Sequence, residues 1–104
     1  RLLRSGAGFD GVFCASDQIA RGLSDALREN GVDVPRQVGV VGVDNWDVMV
    51  DGARPPLTTV DLQLAELGNV AATRLLAAID GEPVAGGVER VPCRLIQRQS
   101  TALA

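Results

Sequence analysis

The stretch that most constrains the fold is a short apolar run, residues 38–43, which ends abruptly in polar side chains. The run consists of valines interrupted only by two glycines, so it is too short for a helix and rich in β-branched residues. These properties are typical of a strand that is buried on both faces, as in a parallel sheet covered by helices. In such sheets, ligands bind in the crevice beyond the carboxyl ends of the strands. The residues at that position are Asp44, Asn45 and Trp46.

A second strand and a helix precede this run. Residues 9–15 predict a buried strand, Ser16 is a good helix N-cap, and Asp17 suits the first helical turn. Residues 17–30 predict a helix because apolar side chains recur on one face at helical spacing, namely Ile19, Leu23, Ala26 and Leu27. A strand–helix–strand order implies parallel strands joined by a right-handed crossover. We therefore expect Ser16 and Asp17 at the same edge of the sheet as Asp44 and Asn45.

The rest of the chain predicts further strands and one more helix. Pro55 precedes another proline, which favours an extended backbone, and residues 57–60 are β-prone. A helix is expected up to about residue 80, with a stop at Gly81 and a broad apolar face made of Leu64, Leu67, Ala71, Leu75, Ala78 and Ile79. Residues 1–5 are interpreted as the end of a helix. Residues 88–91 and 93–99 form two further β-prone runs. Together these elements predict an α/β fold with three layers, in which helices flank a mostly parallel sheet.

Composition argues against several classes of function. The chain has 104 residues, of which 46% are hydrophobic, so it can bury a core. Its net charge is −3 and it has no basic cluster, which argues against a nucleic-acid surface within these residues. Histidine is absent, and Cys14 and Cys93 are interpreted as buried, reduced thiols. We expect no metal site and no cofactor, and no stretch is long and apolar enough to span a membrane.

The candidate polar residues favour binding over catalysis. Gly39 and Gly42 have the wrong spacing for a dinucleotide-binding loop and lie inside the strand, where they favour close helix packing. Asp17 and Asp44 could act as acid and base, but no recognisable nucleophile accompanies them. Asp44 has the less obvious structural role, since a carboxylate at a strand end can accept two hydroxyl hydrogen bonds from a sugar or another polyol. Trp46 offers a flat apolar face to a pyranose, or else packs on the surface under a polar loop predicted at residues 47–54.

Several motifs occur in order between about residue 9 and residue 101. They are Ala-Ser-Asp-Gln-Ile-Ala-Arg-Gly at 15–22, Gly31 to Pro35, Val-Val-Gly-Val-Asp-Asn at 40–45, Pro-Leu-Thr-Thr-Val at 56–60, Glu-Leu-Gly at 66–68, and Arg98 with Ser100. In these motifs the chain resembles the lac repressor/galactose repressor family. The resemblance implies a transcriptional regulator with an amino-terminal helix-turn-helix and a two-lobed core like a periplasmic binding protein. In that family a small molecule, usually a sugar or purine, binds between the lobes and alters operator affinity.

For residues 1–104 the resemblance implies the carboxyl-terminal portion of the effector-binding and dimerisation domain. It assigns helix 64–80 to the other lobe, so we expect its apolar face to find a substitute partner, by folding back or by pairing with a second copy. It implies dimerisation through residues 21–27 and 48–54. It also implies that the effector contacts include Ser16, where the family usually has Asn, together with Asp17 and Asp44. The full set of predicted effector-binding residues is Ser16, Asp17, Asp44, Asn45 and Trp46.

The expected partners are a small-molecule effector, taken to be a sugar, and a second copy of the chain. Operator DNA is expected only through a helix-turn-helix outside these residues, and the expected location is the cytoplasm. One alternative is a periplasmic sugar-binding protein of the same fold. Another, from a different class, is a fragment of an α/β enzyme that uses Asp17 and Asp44 as acid and base.

Overall fold

The computed structural model describes residue 1 and residues 3–101, which form one four-stranded sheet with helices. The elements in chain order are β1 Gly11–Phe13, α1 Asp17–Glu29, β2 Gly39–Val43, α2 Asp47–Gly52, β3 Thr58–Asp61, α3 Leu64–Ile79 and β4 Arg94–Ile96. The sheet order follows the chain order, β1-β2-β3-β4. The first three strands run parallel, and β4 is antiparallel to β3. The predicted α/β class with a mostly parallel sheet is confirmed.

Helix α1 begins and ends where the sequence predicts, and its predicted core face is confirmed in part, since Leu27 is buried and Leu23 packs half-buried against the core. The Ser16 hydroxyl accepts a hydrogen bond from the Ile19 N–H at 3.2 Å, and Gly31 adopts a φ of +72° just after the helix. The buried residues are Asp17, Ala20, Ser24 and Leu27. Ile19, which was predicted to face the core, is 57% exposed. Near Gly42 the buried face carries the small side chain of Ala20, because α1 lies very close to the sheet there.

Gly42 shows how close this approach is. A Cβ atom at Gly42 would lie 3.2 Å from the Ala20 Cβ and would overlap the Asp17 carboxylate. The prediction that a glycine inside the strand permits close helix packing is therefore confirmed for Gly42. Gly39 is different, since a Cβ there would meet only backbone oxygens at 3.9 Å.

The core is aliphatic and joins α1 and α2 to one face of the sheet, through Cys14, Ala20, Leu27, Val38, Val40, Val50, Ala53 and Leu57. The other face is less covered: Val41 and Val43 are only half-buried, and Phe13, which pairs with Val41, is 68% exposed. The predictions that β2 is buried on both faces and that β1 is a buried strand are thus wrong. The reason is that no helix of the described residues buries this second face.

Ser100, after β4, forms hydrogen bonds with the two central strands of the sheet. The buried Ser100 hydroxyl accepts from the Thr58 N–H at 2.8 Å and donates to the Val40 carbonyl at 2.5 Å, so it bridges β2 and β3. Cys93 precedes the edge strand β4 and is exposed, so its predicted burial is wrong. The β-prone run at 88–91 forms no strand.

Two predictions at the chain start and in the middle also need correction. Leu3–Ser5 form a short 3₁₀ helix rather than the tail of an α-helix, and residue 2 lies outside the described residues. Residues 47–52, predicted as a polar loop, form the short helix α2.

Helix α3 extends from the sheet and makes the molecule elongated, with extents of 60 × 26 × 26 Å. None of its residues is buried, and Leu75, Leu76 and Ile79 are each at least 60% exposed. Folding back onto the sheet, one of the two predicted ways of covering its apolar face, does not occur. No helix within the described ranges has the length and apolar character to cross a bilayer.

Candidate functional site

The candidate site lies at the carboxyl ends of β1, β2 and β3, and Asp17 holds these ends together. Its side chain is fully buried. One carboxylate oxygen accepts from the Trp46 N–H at 2.8 Å, and the other accepts from the Thr59 hydroxyl at 2.5 Å. The predicted convergence of Ser16 and Asp17 with Asp44 and its neighbours is therefore what the structure shows. Both Asp17 oxygens point into the protein.

Asp44 is exposed at the carboxyl end of β2. Its backbone N–H donates to the Val60 carbonyl at 2.9 Å and continues the pairing of β2 with β3. Its φ is +118°, a conformation that side-chain-bearing residues rarely adopt and that is concentrated at functional sites. Its carboxylate makes no hydrogen bond or ion pair with any of the described residues. Asp44 therefore has its full acceptor capacity available at the sheet edge.

Asn45 has a left-handed backbone, with a φ of 53°, and its side chain is engaged on both sides. Its amide oxygen accepts from the Arg98 guanidinium at 2.8 Å, and its amide nitrogen donates to the Asp61 carboxylate at 3.2 Å. Its backbone N–H donates to the Thr59 hydroxyl at 3.3 Å. The side chain is thus held between β3 and the segment that carries Arg98.

Trp46 and Ser16 complete the set of predicted residues. Trp46 is the residue before α2, and its side chain is 47% exposed, so part of the indole is open to solvent. The Ser16 hydroxyl accepts from the first turn of α1, which leaves its hydrogen able to donate. Each of the five predicted side chains therefore lies on one of the two adjoining strand tips.

Three residues that hold the site were given no role by the sequence. Thr59 and Asp61 lie on β3 and contact Asp17 and Asn45, respectively. Arg98 reaches Asn45 and also donates to the Leu57 carbonyl at 3.0 Å. The Thr-Thr pair and Arg98 belong to the recognised motifs, but only the folded chain brings them to the loop.

The geometry suits the binding of a polyol better than catalysis. Asp44 can accept hydroxyl hydrogen bonds beside a partly open indole, whereas Asp17 has no carboxylate oxygen free for proton transfer. No group of three or more His, Cys, Asp or Glu side chains within the described ranges could hold a metal ion. A cavity of about 670 Å³ lies elsewhere, between α3 and residues 82–89, and contains none of the five residues.

Comparison with known proteins identifies the family. The model of the periplasmic binding protein-like domain matches residues 4–101. The HTH-type transcriptional regulator RegA of Clostridium acetobutylicum is 44% identical over 72 residues, which cover 68% of this chain and 21% of that protein. The chain spans about a quarter or less of the length of the first curated relatives it matches.

Two solved structures extend the comparison. The lac repressor dimer bound to operator and the anti-inducer ONPF superposes with a TM-score of 0.88 at 31% identity, covering 98% of this chain and 35% of that one. A periplasmic binding protein/LacI transcriptional regulator from Alkaliphilus metalliredigens, complexed with D-xylulofuranose, superposes with a TM-score of 0.79 at 29% identity, covering 91% and 35%. These relatives are transcriptional regulators rather than enzymes. The chain belongs to the periplasmic binding protein-like domain family, in the form found in the lac repressor/galactose repressor family of transcriptional regulators.

Proposed function

We propose that residues 1–104 are part of the effector-binding and dimerisation domain of a transcriptional regulator, and that the effector is a sugar. The observation that carries the proposal is the Asp44 carboxylate, which is exposed at the strand tips and has no hydrogen-bond partner among residues 1 and 3–101. A carboxylate can accept hydrogen bonds from two neighbouring hydroxyl groups of a sugar. The Alkaliphilus relative was solved with a furanose, which supports this class of ligand.

The five residues divide the work of binding. Asp44 and the Ser16 hydroxyl face the sugar hydroxyls, and the exposed part of Trp46 lies against an apolar face of the ring. Asp17 is buried beneath the site, where its carboxylate accepts a hydrogen bond from the Trp46 N–H and so holds Trp46 in position. Asn45 lies between Asp44 and Trp46 in the same loop, and its side-chain hydrogen bonds hold that loop in place.

A second lobe, outside these residues, closes the site in this proposal. Helix α3 has no buried residue yet carries apolar side chains around its surface, which is expected of a helix that packs on another part of the protein. The relatives are long enough to contain such a lobe, because the matched region is a minor part of their length.

Dimerisation is proposed through the regions at residues 21–27 and 48–54. Arg21 links them, because its guanidinium donates to the Val48 carbonyl at 3.1 Å. Val48 is 65% exposed, which leaves apolar surface available for a second copy. Operator DNA is contacted through a helix-turn-helix outside these residues, and a regulator of this kind acts in the cytoplasm.

The test is a sugar-binding measurement on the full-length protein. D-xylulose and a panel of pentoses, hexoses and disaccharides are screened by thermal shift, because a ligand that binds only the native state raises the melting temperature. For the sugar that binds, calorimetry of Asp44→Ala is expected to show at least a tenfold weaker affinity, about 1.4 kcal/mol or more.

Asp47→Ala is the matched control, since Asp47 is an exposed carboxylate three residues away, in the first turn of α2. It should leave the affinity within about twofold of the wild type. Equal affinity of the wild type and Asp44→Ala for that sugar would refute the proposed site.

A further inference from the structure

Three chain segments meet beyond the carboxyl end of β3, and a row of hydrogen bonds joins them. The Asn45 amide nitrogen donates to one oxygen of Asp61 at 3.2 Å, and the Gln63 N–H donates to the other at 2.8 Å. The Gln63 side chain donates to the Pro92 carbonyl at 2.6 Å. The row therefore runs from the loop after β2, through the segment that leads into α3, to the segment that returns from α3.

Asn45 occupies the place in this row where a donor and an acceptor are both required. Its oxygen receives the Arg98 guanidinium, and its nitrogen supplies a hydrogen to the Asp61 carboxylate. Only a side chain with both functions satisfies a cation on one side and an anion on the other. The left-handed backbone of Asn45 is also one that asparagine tolerates better than most residues.

Through Asp61 and then Gln63, Asn45 is linked to the two covalent connections between the sheet and α3 in the described residues. Residues 62–63 lead into the helix, and residues 80–93 lead back. No residue of α3 is buried, so packing on the sheet does not fix its direction. Gln63, immediately before the helix, has a φ of 51°, and its hydrogen bonds to Asp61 and Pro92 tie both connections together.

We propose that Asn45 is a positioning residue that couples the strand-tip loop to these two connections and thereby to the orientation of α3. A change of the loop at Asp44 and Trp46 is transmitted through Asn45 and Asp61 to Gln63, where the helix begins. The coupling is a property of the described contacts; its use in responding to a sugar rests on the proposed function.

The first test is hydrogen exchange of the full-length protein without any added sugar. Asn45→Ala removes both side-chain bonds, so the backbone amides of residues 63–67 should exchange at least fivefold faster than in the wild type. The amides of residues 20–27 in α1 should be unchanged. Asp47→Ala, two residues further along the chain at the start of α2 and outside the row, should leave both regions unchanged.

The second test exchanges the donor and the acceptor. Asn45→Asp alone places two carboxylates against each other and should also accelerate exchange at residues 63–67. Adding Asp61→Asn reverses the roles: the new amide donates to the new carboxylate and still accepts from the Gln63 N–H, while Arg98 keeps an acceptor. Exchange in the double variant should return to within twofold of the wild type, which a general loss of stability would not produce.

The proposal is overturned by an unchanged rate at residues 63–67 in Asn45→Ala, by equal acceleration in α1, or by failure of the double variant to restore protection. Because no sugar is used, none of these results bears on effector binding. Conversely, hydrogen exchange would still detect the coupling in a protein that binds no sugar.

Discussion

Asp17 is the residue on which the geometry of the strand tips depends. A buried carboxylate is costly unless hydrogen bonds replace the water that it loses. Here the Trp46 N–H and the Thr59 hydroxyl each donate to one oxygen, so two different segments hydrogen-bond the buried carboxylate. The sequence assigned Asp17 to the helix N-terminus and, by resemblance, to the effector. In the structure its carboxylate holds the loop that carries Trp46, while the effector contact stays a prediction.

Gly42 is the position at which this arrangement allows no additional atom. Gly42→Ala would bring a methyl group against the Asp17 carboxylate and the Ala20 Cβ, both of which belong to the packed contact of α1 with β2. We expect the free energy of unfolding to fall by about 1–3 kcal/mol, as for other overpacked cores. Urea denaturation followed by circular dichroism measures this change.

Gly22→Ala is the matched control, because a Cβ at Gly22, in the exposed part of α1, has no neighbour within 4 Å. Alanine is the better helix former, so this variant should be more stable by about 0.5–1 kcal/mol. A Gly42→Ala protein as stable as the wild type would show that α1 can move away from the sheet.

At the scale of elements, the sequence predicted helix and strand positions better than buried faces. The run of valines in β2 indicated burial on both sides, yet Val40 is buried while Val41 is only half-buried. Alternate residues of a strand point to opposite faces, so only a covering layer on each face buries them all. The described residues supply α1 and α2 to one face alone. The apolar pattern of a single strand does not reveal which part of the protein covers it.

The two cysteines give an element-scale prediction. Burial raises the pKa of the Cys14 thiol, whereas Cys93 lies exposed before β4. Alkylation requires the thiolate, so iodoacetamide at pH 8 should label Cys93 at least tenfold faster than Cys14 in the 104-residue chain. Mass spectrometry of the labelled peptides follows both rates, and Cys93→Ser should leave only the slow reaction.

The pH dependence of the slow reaction follows from the direction of this shift. Because the folded pKa of Cys14 is above the unfolded value, burial of the neutral thiol stabilises the fold fully below the unfolded pKa. That contribution is lost as the pH rises through the folded pKa. Labelling of Cys14 should therefore increase only at more alkaline pH or on addition of urea, and equal rates for both cysteines at pH 8 would contradict this.

At the scale of the whole molecule, the main feature is α3, because the described residues bury none of its side chains. Leu75, Leu76 and Ile79 are largely exposed on α3, in a chain that does not fold back over them. Contiguous exposed apolar surface of this kind favours association. Residues 1–104 expressed alone should therefore pair with a second copy through α3.

Size-exclusion chromatography coupled to small-angle X-ray scattering measures the mass and the radius of gyration. A monomer of the described shape has a Cα radius of gyration of 18.4 Å, so association should give a larger radius and about twice the mass. Leu75→Ser combined with Ile79→Ser should shift the protein towards the monomer. A wild-type chain that stays monomeric at high concentration would refute the association.

The sequence by itself determined the positions of α1, β2, β3 and α3, the Ser16 cap of α1, the parallel arrangement of β1 and β2, and the family. These features depend on local chemistry: capping side chains, β-branched runs, glycine stops and the spacing of motifs along the chain. Only the tertiary structure decided that Asp17 turns inward, that Asn45 is held between Arg98 and Asp61, and that α3 is uncovered. Each of these depends on contacts between residues far apart in the chain, and the pattern of one segment carries no information about what packs against it.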